Sequence, residues 1–290
     1  MRFTFTITAS RDTTIRVVLA DFGVSHRLLK KLFDAHLVWV DQHPALHNRE
    51  VKKGALVRFD LPDDGTVALS AHPIEIVQEL ANWLIVNKPA GLASVPGPSS
   101  PDDSLLNRVA GWLHQQGFTH PQPAIITRLD RDTTGLVLVA KHPFAQGRLD
   151  ALGVNGQLSK HYLAVVSGVL PPTGRIDRPL ALAADGIHRE VNASGQSAIT
   201  EYDVLTQGAQ AALVRVHLLT GRTHQIRAHF AAIGHPVVGD ELYGGDLRQF
   251  DHQLLQASEL EFTDPFTSQA VHAQLPLPEA WEVAIKKVGK

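Results

Sequence analysis

Residues 125–141 read IITRLDRDTTGLVLVAK, and this stretch decides much of the fold. Two apolar runs flank a charged and polar segment, which predicts two buried strands joined by a turn at residues 132–135. Arg128 and Asp130 lie where the first strand meets the turn. Charged residues at such a junction are held by rigid strands yet open to a cleft, where functional sites are commonly placed. A hairpin whose turn makes only local hydrogen bonds is the alternative.

Outward from this stretch, strands dominate the chain from residue 74 onward. The predicted strands are 74–77, 83–87, 135–140, 160–166, 197–205, 211–219 and 254–262, and the predicted helices are 102–116 and 223–233, with weaker ones at 143–152 and 279–287. Asp102 or Asp103 can cap the first helix and Gly117 can end it. Strands interrupted by a few helices without strict alternation indicate the α+β class with a largely antiparallel sheet.

The first 61 residues are predicted to form a separate small α/β unit. Its predicted elements are helices Thr13–Phe22 and Ser25–Asp34 and strands Leu37–Val40 and Leu56–Phe59. Arg27, Lys30 and Lys31 fall on one or two adjacent turns of the second helix, with Ser25 as its cap. They can form a basic ridge, and a solvated helix face is the alternative. Residues 62–73 are predicted to be a linker, followed by a second domain over 74–290.

Composition narrows the class of protein. The 290 residues are 44% hydrophobic and 19% charged, contain no cysteine and carry a net charge of -2. Disulfides and thiolate metal sites are therefore excluded, and a reducing cytoplasm fits best. No apolar run is long enough to predict a signal peptide or a membrane span. Residues 1–60 hold ten Lys/Arg against six Asp/Glu, so a basic head precedes a mildly acidic body. This distribution is compatible with a local nucleic-acid patch, and ordinary fluctuation of charge along the chain is the alternative.

Residues 218–245 read LLTGRTHQIRAHFAAIGHPVVGDELYGG, a strand followed by a short helix from about Thr223 to Gly234. His224 and Arg227 are three apart and share a helix face, and Arg222 lies at the helix start, where backbone N–H groups attract anions. A metal site built from His224, His229 and His235 is not favoured. Their spacings do not align three ligands on one face, and no Glu accompanies them as in H-E-x-x-H.

Two further segments carry chemical groups. Residues 160–168 read KHYLAVVSG, and strand alternation places Lys160 and Tyr162 on one face. A buried aromatic with a bonded hydroxyl is the alternative for Tyr162. Residues 84–92 read LIVNKPAGL, a strand end and bend to which a binding role is assigned only weakly. G-x-S-x-G, G-x-G-x-x-G and the Walker phosphate loop are absent, which argues against hydrolase-elbow and nucleotide sites.

Taken together and in this order, the four segments resemble the RluA-type family of RNA pseudouridine synthases, over residues 74 to 277. The stretch VSHRLLKKLFDAHLVWVDQHPALHNREVKKGALVRFD, residues 24–60, resembles the small RNA-binding module first described in ribosomal proteins. Asp41-Gln42 replaces the Asn-Gly turn common in that module, so its turn geometry is expected to differ. The resemblance implies a catalytic domain with a mixed, largely antiparallel central sheet flanked by helices and loops.

The resemblance also implies roles for single residues. Asp130 would be the essential catalytic carboxylate, Arg227 its ion-pair partner, and Tyr162 the residue that contacts the target base and accepts a proton. The remaining motif residues, Arg128, Lys160, Arg222 and His224, would contact RNA or support the site. Two positions depart from the family pattern: Thr127 and Gln256 stand where His is common. The Thr is expected to remove one RNA contact.

The expected activity is isomerisation of specific uridines in structured RNA, most simply ribosomal RNA, with transfer RNA as the other candidate. It needs no redox step or phosphate energy, so no cofactor and no metal are expected. A cytoplasmic monomer is expected.

Two other interpretations of the sequence compete with this one. One is a non-catalytic RNA-binding protein on a degenerate synthase body, which should have lost Asp130 or its Arg partner. The other is a hydrolase that uses Asp130 and Asp132 as paired carboxylates.

Overall fold

The N-terminal residues fold into a four-stranded antiparallel sheet that shares one apolar core with two helices. This computed structural model describes residues 1–98, 100–153, 158–246 and 250–281. The elements are β1 (Thr4–Thr8), β2 (Thr13–Thr14), α1 (Ile15–Asp21), α2 (His26–Asp34), β3 (Val38–Val40), β4 (His43–Pro44), β5 (Glu50–Val51) and β6 (Leu56–Asp60). The strand order is β1-β6-β3-β4, and β2 pairs separately with β5.

Both predicted helices of this unit are present, with one start corrected. The first begins at Ile15 because Thr13 and Thr14 pair with β5, as β-branched residues favour. Ser25 caps α2 by accepting a hydrogen bond from the Leu28 amide. The prediction missed β1, although the alternation TFTIT indicates a half-buried strand.

The turn between β3 and β4 was expected to differ from an Asn-Gly turn, and this expectation is wrong. Val40 pairs with His43 across a two-residue loop, and both loop residues have positive φ, 48° at Asp41 and 69° at Gln42. This is the backbone that Asn-Gly favours. The Asp41 carboxylate accepts a hydrogen bond from the Leu56 amide, which helps to hold the strained turn.

The remaining residues build a larger sheet. Its elements and neighbours are β7 (Glu75–Glu79), β8 (Trp83–Lys88), α3 (Leu105–Gln115), β9 (Ala124–Ile125), β10 (Thr134–Ala140), α4 (Pro143–Ala151), β11 (Leu158–Ser167), β12 (Thr173–Asp177), β13 (Leu180–Leu182), β14 (Arg189–Val191), β15 (Ile199–Gln207), β16 (Ala211–Leu218), α5 (Gln225–Ala232), β17 (Leu255–Thr263) and β18 (Ala270–Gln274). The order is β12-β15-β16-β11-β17-β10-β8-β7, with β9 and β18 paired at its side. Within the described residues β10 and β17 are its parallel pair, so the predicted mixed, largely antiparallel sheet is confirmed.

We call the chain from residue 74 onward the body. All seven strands predicted in the body are present, with bounds shifted by a few residues. The cap of the helix predicted at 102–116 is wrong. Ser104 and Asn107 form a reciprocal capping box at the start of α3, whereas Asp103 binds Arg108 instead. Gly117, with φ of 95°, ends that helix as expected. The helix predicted at 223–233 begins at Gln225, and most of the one predicted at 279–287 lies outside the described residues.

Alternation along the central strands divides the core between the two faces of the sheet. Leu84 and Val86 of β8 belong to one cluster, and Trp83 and Ile85 to another. The first face packs against α3 and α5 and includes Tyr162, whereas the second packs against α4. Tyr162 and α5 therefore lie on the same side of the sheet. Among the described residues, no helix has the length and apolar character needed to cross a bilayer.

The segment predicted as a linker contains no helix or strand, yet it is attached to the body. The Ser70 amide donates to the Asn107 carbonyl, and the Asn107 side chain donates to the Ala68 carbonyl. Asp63 accepts a hydrogen bond from the His120 amide. These contacts hold the segment along α3.

Candidate active site

Asp130 lies in the loop between β9 and β10, and hydrogen bonds fix this loop on both sides of it. The Ser94 hydroxyl donates to the Leu129 carbonyl at 2.6 Å and accepts from the Leu129 amide at 3.0 Å. The Lys88 ammonium donates to the Arg131 carbonyl at 2.7 Å. The Asp130 backbone is thereby bracketed by two buried polar groups, so the direction of its side chain is well defined.

Lys88, in the segment to which a binding role was assigned only weakly, is completely buried. Its ammonium also donates to the carbonyls of Pro89 and Leu92, which gives each of its three N–H groups an acceptor. Burial lowers the pKa of Lys88 to about 8, against the opposing effect of the nearby Asp132 and Asp130. The residue joins the loop after β8 to the loop that carries Asp130.

The Asp130 carboxylate forms an ion pair with Arg227 of α5. Nη1 of Arg227 lies 3.0 Å from Oδ2 of Asp130, which is the pairing that the resemblance implied. The other donors of this guanidinium bind Asp240: Nε lies 2.7 Å from Oδ2 and Nη2 lies 2.8 Å from Oδ1. The Asp240 side chain is wholly buried, whereas that of Asp130 is 25% exposed. Arg227 is therefore anchored from within and presents one N–H to a carboxylate that a substrate can reach.

His224 approaches the same oxygen of Asp130. Its Nε2 lies 3.9 Å from Oδ2, and its Nδ1 lies 3.1 Å from the Tyr243 hydroxyl. That hydroxyl also accepts the Arg189 amide at 2.8 Å, so its own proton can be donated to Nδ1. This network assigns the remaining proton of neutral His224 to Nε2, facing Asp130. Burial lowers the pKa of His224, although Asp130 raises it, and the ring is neutral near pH 7.

Backbone strain accompanies this arrangement. His224 has φ of 56°, the left-handed region that a side chain other than glycine rarely adopts. It stands at the N-terminal end of α5, and its side chain does not cap that helix. The strain directs the imidazole toward Asp130 rather than toward the helix amides.

Tyr162 of β11 is buried on the sheet face that carries α5. It pairs with Ala257 of β17, and Ala257 in turn pairs with Gly135 at the start of β10. This register brings Tyr162 beside the Asp130 loop. Burial, reinforced by the charge of Asp130, raises the pKa of Tyr162 above its ordinary value, so the phenol is neutral there.

The other motif residues occupy different environments. Arg128 is exposed and has no partner among the described residues. Lys160 follows the same strand face as Tyr162, and burial lowers its pKa. Arg222 donates through Nε to the Ser197 carbonyl at 3.0 Å, and its amide donates to the Gln225 side chain. Arg222 thus holds the turn before α5.

The three basic residues predicted on α2 are all exposed and border two different grooves. Arg27 and Lys31 line a cavity of about 460 Å³ between the N-terminal unit and the body, whereas Lys30 lies in a separate groove with Arg16. Lys31 also forms an exposed ion pair with Asp64, at 3.1 Å. Its positive charge is therefore partly balanced.

The two departures from the family pattern are buried positions. Thr127 is 2% exposed, and its hydroxyl accepts a hydrogen bond from the Leu138 amide. A residue placed there has little access to RNA, so the expected loss of an RNA contact is not supported. Gln256 is 6% exposed, and its side-chain oxygen has no partner among the described residues.

The histidines considered as metal ligands are engaged separately. His229 bonds to Thr200 and to the Arg178 carbonyl, and His235 bonds to the Ser167 carbonyl. No group of three or more potential ligands occurs among the described residues. Asp132 is bound by its neighbour Arg131 at 2.9 Å, as expected for turn chemistry.

Asp240, Tyr243 and Lys88 are the residues of this site that the sequence reasoning missed. A signal existed for the first two, because both stand in the quoted string GHPVVGDELYGG. An acidic residue between a buried Val-Val pair and a Gly-rich turn is a candidate for a buried ion pair. The Tyr243 ring lies under the Arg227 guanidinium, 5.1 Å from the ring centre.

Comparisons with known proteins agree with this fold. The model of the RNA pseudouridylate synthase family matches residues 82–232. The uncharacterized RNA pseudouridine synthase YjbO of Bacillus subtilis is 32% identical over 94% of this chain and 98% of its own. The ribosomal large subunit pseudouridine synthase D of Yersinia pestis is 34% identical over 92% of this chain and 87% of its own. In structure, the human RNA pseudouridylate synthase domain containing 1 superposes with a TM-score of 0.59, covering 71% of this chain and 84% of its own at 24% identity.

The fold and the site thus define an RNA-modifying isomerase. This chain belongs to the RNA pseudouridylate synthase family, whose members convert uridine in RNA to pseudouridine.

Proposed function

We propose that this enzyme isomerises uridines in the RNA of the large ribosomal subunit, with Asp130 as the reacting carboxylate. The target class rests on relatives that are named ribosomal large subunit pseudouridine synthases and are 31–35% identical to this chain. The observation that carries the assignment of Asp130 is its geometry: a partly exposed carboxylate in the loop between two strands, paired at 3.0 Å with an arginine that is itself fixed by a buried carboxylate.

The reaction breaks the N1–C1′ bond of uridine and forms a C5–C1′ bond. C5 loses a proton and N1 gains one, so atoms and electrons balance without a cofactor. Asp130 can attack C1′, attack C6 of the base, or remove the 2′ proton to give a glycal. Each route needs an ionised carboxylate, which the cation of Arg227 favours. Because Arg227 and His224 both approach Oδ2, Oδ1 is the oxygen we assign to the substrate.

Tyr162 is proposed to contact the target base and to accept the C5 proton late in the reaction. A neutral phenol is a poor base, and the charge of Asp130 contributes to keeping it neutral. When Asp130 is covalently bonded to the substrate, its charge is lost and this contribution disappears. On a route with a covalent intermediate, loss of the Asp130 charge makes it easier for Tyr162 to give its own proton to N1 of the detached uracil and then, as the phenolate, to take the C5 proton.

RNA binding is proposed to extend from the site to the N-terminal unit. The target base must leave its stack, at a cost of a few kcal/mol, and contacts to phosphates and to the flipped base offset this cost. We assign such contacts to Arg128, Lys160 and Arg222 near Asp130, and to Arg27, Lys30 and Lys31 on α2. The corresponding division is an RNA-binding module over 1–61, a linker over 62–73 and a catalytic domain over 74–290. We further propose a cytoplasmic monomer.

The test is turnover of RNA labelled with tritium at uracil C5, using a transcript of large-subunit ribosomal RNA. Asp130→Asn is expected to lower tritium release by at least about a thousandfold, because the amide can neither attack nor accept a proton. RNA binding and thermal stability should change little. The matched control is Asp132→Asn, two residues away and bound by its neighbour Arg131, which should keep most of the activity. Full turnover by the Asp130 variant would refute the assignment, and comparable loss in both variants would favour the paired-carboxylate reading.

A further inference from the structure

The β13–β14 hairpin brings an arginine to the Asp130 site that no motif singled out. The Arg189 amide, at the start of β14, donates to the Tyr243 hydroxyl at 2.8 Å. The same hydroxyl lies 3.1 Å from His224, and the Tyr243 ring lies under Arg227. The backbone of Arg189 is therefore linked through Tyr243 to both residues that approach the Asp130 carboxylate.

The side chain of Arg189 has a hydrogen-bond donor that lacks an acceptor. Its Nε is buried and has no hydrogen-bond partner, and no described carboxylate lies within ion-pair distance of its guanidinium. Leaving a buried donor unpaired costs about 1–3 kcal/mol, and more when the group is charged. Arg175, by contrast, binds the carboxylates of Asp177 and Glu201. A buried donor without an acceptor calls for an explanation, and a ligand that supplies the acceptor is one.

The charges of the site indicate which acceptor this is. Arg227 is shared between Asp130 and Asp240, so these three groups together carry one net negative charge, which repels an anion. Arg189 is close enough for its positive charge to lower the pKa of His224, and it brings the sum to zero. With the repulsion removed, a phosphate can bind, and its oxygens match both the charge and the forked geometry of the guanidinium better than neutral base carbonyls do.

We propose that Arg189 binds a backbone phosphate of the target nucleotide and so holds the flipped uridine over Asp130. The inference rests on the proposed function, since it takes Asp130 as the reacting group. Arg189 is a binding residue in this account, and its contribution is made equally in the bound complex and in the transition state. Uniform binding of this kind lowers KM and leaves kcat nearly unchanged.

The experiment compares Arg189→Met, Arg189→Lys and the control Arg175→Met, with the same tritium-labelled transcript at several salt concentrations. For Arg189→Met we expect KM to rise by about tenfold or more, with kcat within about threefold of wild type. The slope of log(kcat/KM) against log salt should become shallower by about one, as for the loss of one phosphate contact. Arg189→Lys should keep the salt slope and recover part of KM. Arg175→Met should match wild type.

Thermal unfolding of the free proteins separates binding from a structural role. Arg189→Met removes the unpaired buried donor, so it should melt no lower than wild type. A fall in kcat at unchanged KM, or an unchanged salt slope in Arg189→Met, would overturn the proposal. If wild-type protein releases no tritium from this transcript, the proposed target fails instead, which is a distinguishable result.

Discussion

Asp240 determines how Arg227 approaches Asp130, although the Asp240 side chain itself is fully buried. Two of the three donors that Arg227 uses are committed to the Asp240 carboxylate, at 2.7 and 2.8 Å. A guanidinium is planar, so fixing one of its edges fixes the direction of the remaining Nη1–H bond. The position of the Asp130 carboxylate therefore depends on a residue 110 positions further along the chain.

Asp240→Asn is expected to impair both turnover and stability. The amide nitrogen faces a guanidinium donor, and Arg227 is then free to turn, so we expect kcat to fall by about a hundredfold. Breaking one partner of a buried ion pair should also lower the free energy of unfolding by about 3 kcal/mol. Tritium release and urea unfolding measure the two effects. Asp177→Asn, which breaks the exposed contact with Arg175, should change neither. Normal turnover in the Asp240 variant would contradict the positioning role.

At the scale of single residues, the sequence predicted the residues that belong to motifs but not the residues that hold them in place. Asp130 and Arg227 were expected to pair, and they do. Lys88, buried with three carbonyl acceptors, was placed only in a bend, because its acceptors come from two loops that meet only in the folded chain. The unpaired Nε of Arg189 is likewise a property of the fold, since no spacing indicates which charge lacks a partner.

At the level of elements, two glycines within helices have opposite surroundings. A Cβ placed on Gly111 of α3 would lie 1.9 Å from the Ser70 carbonyl oxygen, which belongs to the segment between the two predicted domains. A Cβ on Gly147 of α4 would meet no atom within 4 Å. Neither glycine has positive φ, so only the space around each distinguishes them.

Gly111→Ala and Gly147→Ala should therefore shift stability in opposite directions. In an open helix position alanine is favoured by about 0.5–1 kcal/mol, which is the gain expected at Gly147. At Gly111 the same methyl group displaces the backbone at Ser70 and should cost about 2 kcal/mol or more. Urea unfolding of both variants measures the difference. A stabilised Gly111 variant would show that residues near Ser70 yield easily and are not held along α3.

Elements were predictable where apolar residues follow the period of a helix or strand, or form a continuous run. The predicted strands β8 and β10 are such runs, buried on both faces of the sheet, whereas short strands such as β13 and β14 have too few residues to show a pattern. The start of α3 was misplaced for a tertiary reason. Asp103 is a good capping residue by type, but Arg108 and Ser70 bind its carboxylate, and Ser104 caps the helix instead.

At the scale of the whole molecule, the N-terminal unit and the body share an apolar core. Phe144 of α4 belongs to the cluster formed by the N-terminal sheet, and Phe266 packs against it. The Arg148 guanidinium lies 4.9 Å from the Phe22 ring and 4.8 Å from the Phe266 ring. Docking of this kind could not be read from the sequence, because each aromatic residue is isolated along the chain.

His142 lies at the centre of this contact region. Its ring packs against those of Phe3 and Phe5, with centroids 4.3 and 5.6 Å apart. Nδ1 accepts the Ala145 amide as the cap of α4, so the ring proton is on Nε2, which donates to the Asn82 side chain at 3.0 Å. Burial, aided by the nearby charge of Lys141, lowers the pKa of His142 to about 3. The folded protein thus holds this residue neutral.

The stability of the protein should consequently fall in mild acid. In the unfolded chain His142 takes up a proton near its ordinary pKa of 6.5, whereas the folded state resists protonation down to about 3. The contribution of His142 to the free energy of unfolding is therefore fully present above pH 6.5 and is lost as the pH falls toward 3. Between about pH 7 and about pH 4.5 the loss should be about 2 kcal/mol. The variant His142→Asn keeps a capping oxygen but cannot titrate. Between the same two pH values, its free energy of unfolding should therefore fall by about 2 kcal/mol less than that of wild type. Parallel pH profiles for the two proteins would contradict a buried neutral imidazole at the contact between the N-terminal unit and the body.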